Sequence, residues 1–217
     1  MRKKKYIAII IPAYNEEKTI CPVIKECLNY GDTIVVNDCS SDRTETLSKI
    51  YSSNVISHET NLGYDSALES GLKLAIKENY KIAITIDADG EHPLNLIPEF
   101  VNKINDGNSL VIGIRNRKNR FIETVFSIYT QAIWGLKDPL CGMKCYNLNV
   151  VNKIGRFNTY ESIGTELSFR ILKAGKDFDQ INISVDKRNG HSRMGNNFMT
   201  SILILKSILR SFLLITK

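Results

Sequence analysis

Short apolar runs alternate with stretches of helical periodicity along most of this chain. Nearly continuous β-branched segments at Tyr6 to Ile11, Thr33 to Val36, Asn54 to Ser57, Lys81 to Ile86 and Ser109 to Ile114 predict strands covered on both faces. Between them, apolar residues recur at helical spacing over Glu16 to Leu28, Asp42 to Tyr51, Asp65 to Glu78 and Leu94 to Asn105. Alternation of this kind predicts an α/β fold built from right-handed βαβ crossovers on a mostly parallel central sheet flanked by helices. No internal repeat, low-complexity tract or long linker breaks it.

The polar clusters fall where each strand ends. "PAYNEE" (Pro12 to Glu17) follows the first strand, "NDCSSDRT" the second, "ETNLGYDSA" the third and "DADGEH" (Asp87 to His92) the fourth. Open α/β sheets bind ligands beyond the carboxyl ends of their strands, so these clusters predict one site. The last cluster sets Asp87, Asp89 and Glu91 at alternate positions, which project to one side of an extended chain, with Gly90 permitting a sharp turn.

Composition narrows the class. The 217 residues, 43% hydrophobic and 24% charged, suit one sizeable soluble domain with its own core and a C-terminal appendage. A formal charge of +6 favours an anionic partner, and nucleic acid is disfavoured because no basic stripe is interleaved with aromatics and acids crowd the strand ends. Five cysteines without CxxC spacing, and a start whose apolar run is interrupted by Pro12 and Asn15, predict reduced thiols, no zinc site, no cleaved signal peptide and a cytosolic protein.

In their order, "IPAYNEEKTI", "VVNDCSSDRT", "NLGYDSALESGL" and "IDADGEHPL" resemble the successive motifs of family 2 glycosyltransferases, whose nucleotide-sugar domain has the GT-A fold. "GIRNRKNR", "DPLCGMKCYN", "GTELSFRILKAG" and "VDKRNGHSRMG" are similar to the polyprenyl-phosphate branch, to which dolichyl-phosphate mannose synthase belongs. The resemblance spans about residues 6 to 196. It implies a GT-A domain over 1–196, and the pattern of the remaining residues predicts a C-terminal amphipathic helix over 197–217. The implied reaction is inverting and uses a nucleoside-diphosphate sugar donor, Mg2+ or Mn2+, and a polyprenyl-phosphate acceptor at the cytoplasmic membrane face.

Residue by residue, the resemblance makes Asp89 and Glu91 the metal ligands, with Asp87 supporting the ligand or sugar. It places Pro12, Tyr14 and Glu16 at the base and ribose, Asp38 on the base and Gly63 in a tight loop beside the nucleotide. Ser41 or Asp42 suits the N-cap of the following helix. Arg115 and Arg120 match the acceptor-phosphate arginines, a task their planar forks suit. Arg188 matches the arginine of a loop that closes over the diphosphate; Arg193 stands where relatives often carry lysine, and His191 rides on the same loop.

A phosphate acceptor is largely dianionic at neutral pH and needs no base. A sugar hydroxyl of a growing glycan, the other acceptor open to this family, would need one, and Asp138 is then the candidate. His58 and His92 suit structural roles, and Cys141 and Cys145 suit packing within a strand.

The end of the chain, "MTSILILKSILRSFLLITK", is apolar, but Lys206 and Arg210 interrupt it before the ~20 residues a spanning helix needs. At helical spacing Lys206, Ser207, Arg210 and Ser211 share one face, and Ile202, Leu205, Leu209, Phe212 and Leu213 line most of the rest. Such a basic amphipathic helix suits a peripheral contact with an anionic membrane, or packing on the protein's own surface.

Overall fold

The computed structural model describes residues 6–118, 120–155, 164–185, 201–202, 204–208 and 210. Arg188, His191 and Arg193 lie outside the described residues, as does most of the stretch 197–217. Five strands form where the apolar runs predicted them: β1 (Ile7–Ala13), β2 (Asp32–Asn37), β3 (Asn54–Ser57), β4 (Ile82–Thr85) and β5 (Leu110–Arg115). The helices between them are α1 (Ile20–Cys27), α2 (Thr44–Tyr51), α3 (Tyr64–Lys77) and α4 (Ile97–Asn105), the last preceded by a single 3-10 turn at Leu94–Leu96.

Helix α1 starts four residues later than its periodicity predicts. Asn15 takes a left-handed φ of 54°, and the Thr19 and Ile20 amides both donate to the Glu16 carbonyl, so Glu16 to Thr19 form a turn that aims α1. Pro22, three residues into α1, is tolerated because first-turn N–H groups have no intrahelical acceptor.

The second half adds α5 (Phe121–Trp134), β6 (Lys144–Asn147), α6 (Leu148–Ile154), α7 (Glu166–Lys173) and β7 (Phe178–Ile183). The described strands form one seven-stranded sheet in the order β3-β2-β1-β4-β6-β5-β7. Strands β1 to β4 pair in parallel, β5 pairs in parallel with β7, and β6 runs antiparallel between β4 and β5.

Two consequences of this order build the site. The chain winds outward from β1 through β2 to β3 and then returns to the other side of β1 as β4, so the topological switch point lies between β1 and β4, the crevice where open sheets take ligands. Because β6 is antiparallel, its first residues rather than its last share the edge with the ends of β4 and β5. Thr85 is paired with Lys144, and the Gly113 amide donates to the Met143 carbonyl at 3.0 Å.

The core follows from the apolar runs. Ile9, Ile10 and Ile11 are wholly buried because helices cover both faces of β1, and each such side chain contributes about 1.5–3 kcal/mol by leaving water. Phe100 from α4, Phe126 from α5 and Phe169 from α7 are also fully buried in this core.

The described part of the C-terminal stretch is helical at 201–202, 204–208 and 210, and it packs on the domain. Ile204 and Ser207 are buried, with Ser207 Oγ 3.0 Å from Thr165 Oγ1, while Leu205 is 48% exposed. These faces differ from those drawn on the sequence, where Ser207 lay on the polar side and Leu205 on the apolar one. A serine satisfied by another hydroxyl can be buried, and hydrophobicity alone could not anticipate that bond.

Candidate active site at the carboxyl edge of the sheet

The loops after β1 and β2 interlock. Asn15 Oδ1 accepts from the Ser41 amide (2.8 Å) and hydroxyl, and the Asn15 amide donates to Ser40 Oγ at 3.0 Å. Asp42 accepts from the Glu17 and Thr44 amides and Thr44 Oγ1 from the Glu16 amide at 2.7 Å, so Asp42 braces the start of α2 as a capping residue would. Asparagine suits the left-handed turn at position 15 and its side chain serves as the latch, a role the sequence did not disclose. Within this frame Pro12 is buried in β1, Tyr14 is 39% exposed at the rim and Glu16 is buried, its Oε2 accepting from the Thr19 hydroxyl at 3.1 Å.

Asp38, at the end of β2, is buried and heavily engaged. Its Oδ1 accepts from the Leu62 amide at 2.9 Å and meets His58 Nδ1 at 2.7 Å, and its Oδ2 accepts from the Gly63 amide at 2.8 Å. His58 Nε2 lies 2.9 Å from Ser70 Oγ, so one chain of polar contacts ties β2, the end of β3 and α3 together. Gly63, at φ 86°, supplies the turn into α3. Asp38 therefore anchors the 59–63 loop, whatever else it contacts. The structural role expected for His58 matches this geometry.

The acidic cluster follows β4. Asp87 is held from several directions: the Tyr64 hydroxyl donates to Oδ1 at 3.1 Å, and His92 Nε2 lies 3.5 Å from Oδ2. The Asp87 amide donates to His92 Nδ1 at 3.2 Å, which places the imidazole proton on Nε2, facing the carboxylate. Burial, with the Asp87 charge adding to it, raises the Tyr64 phenol well above its ordinary value, so Tyr64 remains a donor. Asp89 Oδ1 accepts from the Glu91 amide at 3.1 Å across a turn in which Gly90 has φ 80°. Asp87, Asp89 and Glu91 are all half-buried.

Among the described residues no three of His, Cys, Asp or Glu converge as a ready metal cage. A pair of hard carboxylates without a full cage fits Mg2+ or Mn2+, which bind through one or two carboxylates and take further ligands from water and substrate phosphates.

Lys144, on β6 and within the field of Asp87, is buried, and its ammonium donates to the Gly164 carbonyl at 2.6 Å. Asp65 takes the Gly164 amide at 2.7 Å, so one residue is clamped at both its polar groups. Burial lowers the Lys144 pKa to about 8, against the pull of Cys141, Asp138, Asp65 and Asp87. Burial also pushes the Cys141 thiol up to about 12, with Asp138 adding to it, and with Cys145 it packs as a neutral apolar group. All five cysteines are free thiols.

At the end of β5, Arg115 is bound by Asp138 and also reaches Glu123, Nη2 to Oε2 at 3.3 Å. Arg120 reaches the other oxygen of the same carboxylate, Nη1 to Oε1 at 3.0 Å, so Glu123 sets the two arginines side by side. Burial works against the Arg115 charge, but the Asp138 carboxylate outweighs it and holds the guanidinium above its ordinary pKa. Asp138 is 1% exposed. Its oxygens accept from the Arg115 backbone amide, Nε and Nη2, so the carboxylate is committed to holding Arg115.

Helix α5 starts directly after Arg120, and an apolar stripe runs along its exposed side. Phe121 is 84% exposed, Val125 38% and Ile128 66%, at the i, i+4, i+7 spacing that aligns them in one stripe. The sequence pattern offered 197–217 as a membrane contact or a packing helix and did not single out α5. The signal was present in the run "FIETVFSIYTQAIW", whose apolar residues are too many for one buried face.

Residues 8–167 match the family described as Glycosyl transferase family 2. The chain is 31% identical to an uncharacterised protein of Methanocaldococcus jannaschii over 82% of this chain and 86% of the other. It is 26% identical to the dolichyl-phosphate hexose transferase of Haloferax volcanii over 94% of this chain and 92% of that protein. Among solved structures, glucosyl-3-phosphoglycerate synthase from Mycobacterium tuberculosis, in complex with Mn2+, UDP and phosphoglyceric acid, superposes with a TM-score of 0.76 at 24% identity. That match covers 95% of this chain and 78% of the other, a likeness of fold.

Proposed function

The chain belongs to glycosyltransferase family 2 and is a glycosyltransferase of the GT-A fold, and from that premise we propose that it moves a sugar from a nucleoside diphosphate to a polyprenyl phosphate. The observation that carries this reading is the joining of two things at the end of β5: a pair of arginines braced by shared carboxylates, and an exposed apolar helix face that begins at the next residue. A phosphate on a long apolar chain needs both.

In this reading the crevice between β1 and β4 takes the donor. Tyr14 and the loop anchored by Asp38 border the nucleoside, with Pro12 and Glu16 shaping the first wall and Gly63 the turn. Asp89 and Glu91 hold Mg2+ or Mn2+, which when bound would neutralise the diphosphate as it leaves. Asp87, fixed by Tyr64 and His92, faces the sugar.

The acceptor phosphate rests against Arg115 and Arg120. Arg115, Arg120, Asp138 and Glu123 sum to zero formal charge, so the grip comes from directed N–H groups more than from excess positive potential. Arg115 spends Nε and Nη2 on carboxylates, and its Nη1 makes no hydrogen bond among the described residues. A phosphate oxygen attacks the anomeric carbon as the bond to the diphosphate breaks on the opposite face, which inverts the centre. The dianion surrenders no proton, and the engagement of Asp138 with Arg115 fits chemistry that needs no base. Arg188 keeps its proposed place over the diphosphate on the strength of the motif alone.

The α5 stripe and the basic residues near it make a peripheral membrane contact the natural posture for such an enzyme. Among the described residues no helix is long and apolar enough to cross a membrane.

The test is a panel of labelled nucleotide sugars with Mn2+, offered undecaprenyl phosphate, 3-phosphoglycerate or a soluble oligosaccharide. Transfer to the lipid phosphate is expected. Transfer only to a soluble acceptor would falsify the lipid reading.

A further inference from the structure

We propose that Gly142 is a positioning residue for Asp87, and that its lack of a side chain is what lets the Asp87 carboxylate lie between the Tyr64 hydroxyl and the His92 ring. The proposal rests on the donor-facing role given to Asp87 above.

A Cβ built on Gly142 would stand 2.3 Å from Asp87 Oδ2, 2.6 Å from Oδ1 and 2.7 Å from Cγ, all far inside contact distance. Nothing in the backbone requires glycine here, since Gly142 is absent from the residues with positive φ. The three nearest atoms to that Cβ all belong to the Asp87 carboxylate.

The backbone cannot readily retreat. The Thr85 hydroxyl donates to the Gly142 carbonyl at 2.6 Å, and the Lys144 amide donates to Thr85 Oγ1 at 3.2 Å. On the other side the Met143 carbonyl is held by the Gly113 amide at 3.0 Å. The Asp87 carboxylate is the free end of a side chain that is 33% exposed, so it is the group that yields. Swinging away, it loses the Tyr64 hydrogen bond and the contact with His92 Nε2.

The experiment compares the wild type with Gly142→Ala, Asp87→Ala and the double variant, using the full chain, Mn2+, the donor it accepts and undecaprenyl phosphate. Gly142→Ala is expected to lower kcat by about tenfold or more while the donor KM moves little, as when an interaction made chiefly in the transition state is lost. Placed in Asp87→Ala, the same substitution is expected to change kcat less than about twofold, because coupled residues are non-additive.

Melting gives a second reading independent of activity. Gly142→Ala should lower Tm by about 2–4 °C in the protein that has Asp87 and leave Tm unchanged or raised where Asp87 is alanine. Wild-type kcat in Gly142→Ala, or losses that multiply in the double variant, would overturn the proposal. If Gly142→Ala does not fold, folding of the double variant supports it and failure of both overturns it. Should the wild type transfer no sugar to the lipid phosphate, the functional reading fails, while the Tm cycle still decides whether Gly142 sets Asp87.

Discussion

Asp138 holds Arg115 at two corners of its guanidinium fork: Oδ2 accepts from Nε at 2.8 Å and Oδ1 from Nη2 at 2.9 Å, in a place where Asp138 is 1% exposed. The carboxylate that the sequence offered as a base for a hydroxyl acceptor is thereby committed to aiming an arginine.

This relationship changes what substitution at position 138 should do. Arg115→Ala is expected to remove about 2–4 kcal/mol of transition-state stabilisation with polyprenyl phosphate as acceptor, since a charge-assisted contact disappears. Asp138→Ala should lower both activity and stability, the latter by about 3–5 kcal/mol, because it leaves a buried guanidinium without its main counter-ion. A pH-rate profile separates the roles: Asp138→Asn should keep the acidic limb of the wild-type profile, whereas loss of that limb would identify Asp138 as a base.

Metal dependence should follow Asp89. Chelator is expected to abolish transfer, and Mg2+ or Mn2+ to restore it. Asp89→Asn should remove most turnover with an unchanged circular dichroism spectrum. Full activity in excess chelator would remove the metal from the mechanism.

Lys144 should make stability depend on alkaline pH in a direction opposite to a surface lysine that gains a partner. Its pKa falls from the ordinary 10.5 to about 8 in the folded protein, mainly by burial. Between these values the unfolded chain binds more protons, so this residue's contribution to stability rises with pH through that window. The difference in unfolding free energy, wild type minus Lys144→Met, should therefore increase from pH 8 to 10.5 and be flat below pH 7. Taking the difference cancels the buried thiols, which act in the opposite sense. A flat difference throughout would show that Lys144 keeps the pKa of a solvated lysine in the folded protein.

The α5 stripe should govern attachment to lipid. Phe121→Ser together with Ile128→Asn is expected to weaken binding to vesicles containing anionic lipid by about tenfold or more, since two large apolar side chains would no longer leave water. Melting should be unaffected, because both side chains are exposed in the folded protein. Unchanged vesicle binding would move the membrane contact elsewhere on the surface.

Much of the fold was written in local pattern. The run Ile7 to Ile11 is too apolar for any place but a doubly covered strand, and the recurrence of such runs between amphipathic helices implied a parallel sheet with its polar loops gathered at one edge. The order of motifs at that edge led to the glycosyltransferase family, and the chain belongs to it. Periodicity, turn residues and charged clusters are properties of neighbours in sequence, and these the amino-acid order determined directly.

Contacts between distant positions were decided only by the tertiary structure. Strand β6 is four residues long and contains a lysine and an asparagine, so its local signal is weak; it exists because β4 and β5 each offer it an edge. Its antiparallel insertion carries Gly142 up to Asp87, 55 positions away in sequence, and sets Lys144 within the field of the same carboxylate. The same holds for Arg115 and Asp138, for Asp38 and the Gly63 amide, and for Ser207, polar in the helical pattern yet buried against Thr165. In each case the energy that decides the residue's role comes from a partner brought within about 3 Å by the packed sheet, where low dielectric and close packing penalise an unmatched group. A linear pattern can mark such a residue as polar, small or charged, but the partner that gives it a task is chosen only when the strands are placed side by side.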